Sequence, residues 1–193
     1  TTQNDVTAVD EPKTFTDLNN DILNSESVFE MTNDYKFNNE SDNSEFIPLG
    51  ADNFVINGNG HTIDANFQSP IFLISAKNVT VNNLTLMNAN HTVGSVFYIK
   101  TNCSLTTNNV NFINDTSDTF GIILIMGTYV SNNDRFIDCT SPMGILNIEN
   151  LIPNESIELE INNAMVSGLN MHDWGFIYTE SPNVNIAILN STF

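Results

Sequence analysis

Positive charge is scarce in this chain. Lys and Arg together number 5 among 193 residues, against 23 Asp and Glu, so the formal net charge is −18. A surface of this sign repels phosphate, which excludes nucleic acid as a partner. It also argues against binding to the anionic face of a membrane. An acidic surface is compatible with solubility, with cation binding or with an extracellular location.

Long apolar runs and cysteines are also few. No apolar window is long enough to span a bilayer, so we predict no membrane insertion in this fragment. A basic segment followed by an apolar run is missing from the start, and the polar lead-in, residues 1–12, could follow a cleaved signal. The two cysteines, Cys103 and Cys139, do not imply a disulfide framework. We expect them to be buried free thiols.

Asparagine is the abundant residue, with 33 in the chain. Asn tolerates the left-handed backbone conformation and bonds to its own neighbourhood, so it favours turns. These residues alternate with Ile, Val, Leu and Phe. That pattern indicates a folded, turn-rich β structure rather than a disordered polar tract.

An Asn-centred corner recurs along the chain, as in VTVNNLTLMN, with steps of 23, 26, 24, 30 and 27 residues between anchors. The residues four positions before and three positions after each anchor are apolar throughout. We expect the anchor side chains to point inward and to bond from rung to rung, with Gly accepting positive φ at the first corner. The anchors of this predicted structural ladder are Gly60, Asn83, Asn109, Asn133, Asn163 and Asn190.

A second column of glycines supports the repeat. Each of Gly94, Gly121, Gly144 and Gly175 opens a short apolar run, which gives three short strands per unit and no room for a helix. The sequence therefore predicts an all-β fold, a right-handed parallel β-helix (a solenoid). Its strands would stack about 4.8 Å apart from rung to rung.

The first part of the chain departs from this repeat. TFTDLNNDILNS carries Leu18, Ile22 and Leu23 at helical spacing, with Thr16 as the predicted N-cap. Such a helix would cover the open end of the solenoid. Residues 27–37 are predicted to form a first strand pair. We therefore assign residues 13–53 to an N-terminal cap with the first strands. Residues 54–193 are assigned to rungs, which we expect to continue beyond the last residue.

Three segments carry a resemblance to a known family: TFTDLNNDIL, NFVINGNGHTIDA and NVTVNNLTLMNAN. The chain, over about residues 13–193, resembles the adhesin-like surface proteins of methanogenic archaea, in the pectate-lyase-like β-helix group. The resemblance implies secretion to the cell surface and attachment to glycans or proteins of another cell. We therefore expect a non-catalytic adhesin-like module or a rigid spacer.

The alternative is a β-helix polysaccharide lyase or glycoside hydrolase. Hydrolases need paired carboxylates, and lyases need acidic Ca²⁺ ligands with a basic residue that removes a proton. The only Arg, Arg135, is expected to face solvent, and His61 lies at a strand corner, where a surface role is commoner. The sequence motifs of pectin hydrolases are missing. No catalytic residue is predicted.

The loops that precede the Gly column are the predicted place of function, because binding loops on a rigid scaffold vary in length. Trp174, the only Trp, could stack on a sugar or plug the core. The candidate ligand-binding residues are Trp174, His172, Asp173, Asp118 and Asp138. Stacked rungs would align four carboxylates along one edge. These either hold Ca²⁺, the one cofactor that the sequence allows, or form a solvated acidic rim. These weak Ca²⁺ candidates are Asp115, Asp118, Asp138 and Asp173.

Sequons for N-glycosylation, Asn-x-Ser/Thr, occur eight times. Asn39, Asn90 and Asn154 are expected in loops, where they could carry glycans if the protein is secreted. Asn83 and Asn190 are expected to be turned inward and unavailable.

Overall fold

The backbone forms about six turns of a parallel β-solenoid with one short helix, α1 (Phe15–Leu23), in the described part of the chain. The computed structural model describes residues 11–152, 156–171 and 175–193. Neighbouring strands of successive rungs pair in parallel throughout. This architecture confirms the predicted parallel β-helix and is consistent with right-handed winding. In the described ranges, no helix is long and apolar enough to cross a membrane.

The strands form four sheets, numbered here in the order in which a rung visits them. Sheet I contains β1 (Val28–Glu30), β4 (Val55–Asn57), β7 (Val79–Asn82), β11 (Ser104–Asn108), β15 (Thr128–Asn132), β19 (Ile157–Asn162) and β23 (Val184–Leu189). Sheet II contains β2 (Tyr35–Lys36), β5 (Thr62–Asp64), β8 (Thr85–Met87), β12 (Asn111–Ile113), β16 (Arg135–Ile137) and β20 (Met165–Ser167). Sheet III contains β9 (Asn90–Val93), β13 (Thr116–Phe120), β17 (Thr140–Ser141) and β21 (Asn170–Met171). Sheet IV contains β3 (Ile47–Leu49), β6 (Phe72–Ile74), β10 (Phe97–Ile99), β14 (Ile123–Ile125), β18 (Leu146–Ile148) and β22 (Ile177–Thr179).

Sheet III corrects the prediction of three strands per unit. The segments expected to be variable loops before the Gly column are short strands: Thr116 of β13, for example, pairs with Asn90 on one side and Thr140 on the other. Strand pairing uses backbone N–H and C=O groups, so a stack of rungs can hold a polar segment as a strand. Because these segments are polar, the sequence pattern predicted loops where the structure has strands.

The N-terminal helix begins two residues earlier than predicted. Thr14, not Thr16, is the N-cap, and it forms a capping box with Asp17. The buried face is made by Phe15, Leu18 and Ile22, at spacings of three and four residues, whereas Leu23 is exposed. Strands β1 and β2, predicted as a pair, do not bond to each other; they pair with β4 and β5 in different sheets.

The anchors occupy the predicted corners, but their side chains do not form the predicted inward ladder. The Asn anchors have φ between +48° and +55°, and Gly60 has φ +83°. The side chains of the Asn anchors are all exposed, because a residue in the left-handed conformation does not follow the in-and-out alternation of the strand. Asn163 does bond Asn133, at 3.2 Å.

A continuous amide ladder stands one residue before the Asn anchors and three residues before Gly60. From Asn82 on, each side-chain amide donates to the side-chain carbonyl of the Asn in the preceding rung, at distances of 2.8 to 2.9 Å. These residues end the strands of sheet I, so strand pairing holds them in register and half-buried. The members of the ladder are Asn57, Asn82, Asn108, Asn132 and Asn162.

The first corner is longer than the later ones. Four residues, 58–61, separate β4 from β5, whereas two residues, 83–84, separate β7 from β8. As a result Ile56 pairs with Val81, and not with Val79 as the repeat predicted. From the second corner on, the predicted apolar columns hold, as in the pairing of Leu105 with Val79 and Tyr129.

Stacked apolar side chains fill the interior. Phe112 and Phe136 lie parallel with ring centroids 4.6 Å apart, and Phe72 and Phe97 stack at 5.8 Å. Rings of successive rungs in contact add about 1 kcal/mol per pair to the burial of apolar surface. The core therefore continues from rung to rung without a break in the described part.

Candidate functional site

Several of the predicted site residues cannot be placed. His172, Asp173, Trp174 and the sequon residue Asn154 lie outside the described residues. The role of Trp174 in stacking on a sugar therefore stays a prediction.

The remaining acidic candidates do not form one edge. Asp118 and Asp138 are exposed, but Asp115 is fully buried, with Oδ1 accepting the backbone N–H of Ala89 at 2.8 Å. Burial raises the pKa of Asp115 well above its usual value. Asp115 follows a corner residue, Asn114, with φ +56°, and the corner turns the next side chain inward. Its place in a surface Ca²⁺ row was therefore wrong.

Metal-ligating side chains are dispersed over the described surface. Within the described ranges, no group of three or more His, Cys, Asp and Glu is placed to hold a metal ion. The other reactive groups lie where they were expected, except that Cys103 is not fully buried. Arg135 is exposed, His61 faces Asp34 at 3.0 Å, and both cysteines are free, with Cys139 buried and Cys103 half-buried.

A second buried carboxyl belongs to an internal polar cluster. Asp134 accepts hydrogen bonds from the hydroxyls of Ser131 and Thr107 and from the backbone N–H of Val110. The hydroxyl of Tyr129 lies 2.9 Å from that of Thr107. Burial raises the pKa of Asp134 from 3.8 to about 6. The cluster replaces apolar residues in the core, and it is closed to a polymeric ligand.

The candidate glycosylation sites are placed differently from one another. Asn39 is exposed, as expected. Asn90 lies in β9 rather than in a loop, and its amide donates to the carbonyl of Phe67 at 3.3 Å. Asn83 and Asn190 are exposed corner residues, so the prediction that they are inward and unavailable was wrong.

Three half-buried rings form a surface group that the sequence analysis did not identify. Phe46 precedes β3, His91 is in β9 and Tyr98 is in β10. The ring of Phe46 lies 4.9 Å from that of His91 and 6.1 Å from that of Tyr98, in edge-to-face arrangements. We call these three residues the ring group. They come from two rungs, with Phe46 just before β3 in the first rung and His91 and Tyr98 in β9 and β10 of the third, so no local motif reveals them.

A polar cavity adjoins the ring group. Its volume is about 300 Å³, and it lies between α1, the loop 38–45 and β3. Phe46 lines it together with Asn19, Asp42, Asn43 and Glu45. We call it the cap cavity.

The wall of the cap cavity is fixed by Asp42. Its carboxylate accepts the backbone N–H groups of Phe15 at 3.0 Å and Thr16 at 2.8 Å, and that of Asn38 at 2.8 Å. The hydroxyl of Thr16 donates to the same carboxylate at 2.7 Å. These bonds attach the loop to the start of α1, where the helix dipole also favours a negative charge.

One polar atom in the wall of the cap cavity is unpaired. The side-chain oxygen Oδ1 of Asn19 is buried and has no hydrogen-bond partner. A buried polar atom without a partner costs about 1–3 kcal/mol, and because Oδ1 has no contact with solvent, a ligand in the cavity does not reach it either. The combination of aromatic ring and polar acceptors is chemistry suited to a sugar. No protein-family model, curated protein or solved structure matches this chain.

Proposed function

We propose that this chain is a non-catalytic, extracellular module of the adhesin-like kind, which attaches a cell surface to glycans or proteins of another cell. The observation that carries the proposal is the ring group beside the cap cavity. A sugar has an apolar face of C–H groups and a polar edge of hydroxyls. An aromatic ring next to amide and carboxylate acceptors complements both surfaces.

The scaffold suits attachment because it holds this surface on paired strands. Tyr98 lies in β10, which is paired on both sides, and His91 lies in β9, which pairs with β13. Binding groups on paired strands lose less conformational entropy than groups on free loops. The amide ladder adds bonds along the solenoid axis, so the same chain also serves as a stiff spacer.

The position of the buried carboxyls supports a binding function rather than catalytic cleavage of a polysaccharide. Asp115 and Asp134, whose pKa values are raised, are both fully buried in the solenoid. A general acid must come within hydrogen-bond distance of the bond that it cleaves, and a polysaccharide outside the rungs cannot reach these two groups.

A glycan and cell-wall array tests the proposal. The chain is applied to immobilised polysaccharides and to whole cells, once with Ca²⁺ and once with a chelator. We expect saturable binding to at least one surface. Loss of that binding with the chelator would show that a divalent cation takes part in it. Failure to bind any surface would contradict attachment and favour the spacer alone.

A further inference from the structure

The cap cavity has the size of a site for one small unit of a ligand. At about 300 Å³ it lies at the lower end of the range of small-molecule sites, about 300–1,000 Å³. It is bounded by three separate elements: α1, the loop 38–45 and β3. Asp42 ties two of these elements together, so the cavity has a fixed shape before any ligand arrives.

Two carboxylates stand among the polar groups of this cavity, beside the side-chain amides of Asn19 and Asn43. Glu45 presents an exposed carboxylate at the rim, and Asp42 places a second carboxylate in the wall. Among the described lining residues none is basic. A ligand that complements these carboxylates must bring hydrogen-bond donors.

The negative charge of the cavity further restricts the class of ligand that it can bind. Partial burial acts to raise the pKa of Asp42, but the hydrogen bonds from Asn38, Thr16 and Phe15 outweigh it and hold the pKa below its usual value. Asp42 therefore stays negative at neutral pH, next to Glu45, on a chain whose formal net charge is −18. This field attracts an ammonium group and repels a carboxylate.

Phe46 supplies the remaining surface. Its ring lines the cavity, and contacts with His91 and Tyr98 fix its orientation. A half-buried ring held by two neighbours is a platform for the apolar face of a pyranose.

We propose that the cap cavity binds one sugar residue that carries a free amine, stacked on Phe46, with the amine directed at the carboxylate of Glu45. This inference rests on the proposed function and names the ligand class of its site.

Titration calorimetry of the whole chain with three trisaccharides tests the ligand class. The probes are the glucosamine trimer, which is cationic, the N-acetylglucosamine trimer, which is neutral, and the galacturonic acid trimer, which is anionic. We expect the glucosamine trimer to bind about tenfold more tightly than the neutral trimer. The anionic trimer is expected not to bind.

Two variants locate the binding. Phe46→Ala removes the ring and should weaken both the cationic and the neutral trimers about tenfold. Glu45→Gln keeps the shape of an exposed side chain, so it does not endanger folding. It should weaken the glucosamine trimer about fivefold and leave the neutral trimer unchanged. Phe67→Ala is the matched control, because Phe67 is also a partly exposed ring, 45% accessible, at a different corner.

The outcomes separate this inference from the proposed function. Binding of a glycan on the array that Phe46→Ala and Glu45→Gln leave unchanged would overturn the cavity assignment and leave attachment intact. Preference for the anionic trimer would also overturn the ligand class. Absence of binding to every glycan and cell surface would overturn both proposals.

Discussion

The carboxylate of Asp134 accepts the backbone N–H of Val110 at 2.7 Å inside the solenoid. The hydroxyls of Ser131 and Thr107 complete its environment. Neighbouring rungs place apolar residues at the corresponding positions, such as Val81 opposite Thr107 and Ile161 opposite Ser131. One polar cluster is thus enclosed by apolar rungs, and its charge state is coupled to folding.

Asp134 should make the stability of the fold depend on pH. Because burial raises its pKa from 3.8 to about 6, the folded state holds the proton more tightly than the unfolded state. Its contribution is therefore complete below about pH 4 and is lost as the pH rises through about 6, a change of about 3 kcal/mol.

The isosteric variant Asp134→Asn isolates this effect, because it is neutral at every pH and can still accept the N–H of Val110. Urea unfolding of both proteins between pH 4 and pH 7 gives the difference in the free energy of unfolding. We expect the natural chain to lose stability relative to the variant as the pH rises. A difference that does not change with pH would contradict the prediction.

The amide ladder should contribute more to stability than the anchors beside it. Asn108 donates to Asn82 at 2.8 Å and accepts from Asn132 at 2.9 Å, so Asn108→Ala removes two half-buried hydrogen bonds. At about 1 kcal/mol each, we expect a loss of about 2 kcal/mol in the free energy of unfolding. Denaturant titration measures this loss.

Asn109→Gly is the control for the ladder variant. Asn109 is exposed with φ +55°, and Gly accepts that conformation, so the change should be within about 0.5 kcal/mol. Equal losses at the two positions would contradict the assignment of the ladder to Asn108.

The two glycines of the first corner should differ in their tolerance of a side chain. A Cβ at Gly58 would lie 2.5 Å from the carbonyl oxygen of Asn83 and 2.7 Å from the Cβ of Leu84. We expect Gly58→Ala to lower the free energy of unfolding by about 2 kcal/mol through overpacking. At Gly60 nothing lies within 4 Å of an added Cβ, and φ is +83°. Gly60→Asn should therefore be tolerated, and thermal melts that rank the two variants the other way would refute this account.

Asp42 should hold the capping helix in place. Its carboxylate accepts three backbone N–H groups, and the pKa of Asp42 lies below its usual value despite partial burial. The stabilisation is therefore present above about pH 4 and is lost on acidification, as Asp42 takes up a proton. We expect Asp42→Ala to increase amide hydrogen exchange throughout α1 at pH 7 by at least about tenfold.

The exposed Glu40 of the same loop provides the comparison for Asp42. Glu40→Ala should leave exchange in α1 unchanged. Protection that survives in Asp42→Ala would show that the helix is held by its apolar face alone.

The architecture could be predicted because the rungs repeat a local rule. Each corner needs a left-handed residue, and Asn or Gly supplies it, so the corners at Asn83 and Asn133 were visible in the sequence. The direction of the anchor side chains could not be read from the sequence, since a left-handed residue breaks the in-and-out alternation of the strand side chains. The strands of sheet III were hidden as well, because their pairing depends on backbone groups and not on apolar side chains.

The candidate site could not be predicted because it has no local signature. The ring group joins Phe46, His91 and Tyr98, which are up to 52 residues apart in the sequence (98 − 46). The cap cavity depends on the attachment of the loop by Asp42, a residue that reads as one of many acidic loop positions. Only the register of the rungs brings these groups together.

The most direct test of the central claim records binding and cleavage in one reaction. The whole chain is incubated with a panel of soluble polysaccharides, and bound protein, new reducing ends and unsaturated products are followed together. The account predicts saturable binding to at least one polysaccharide with no product released over many hours. Release of either product would show that the chain is an enzyme and would contradict the account.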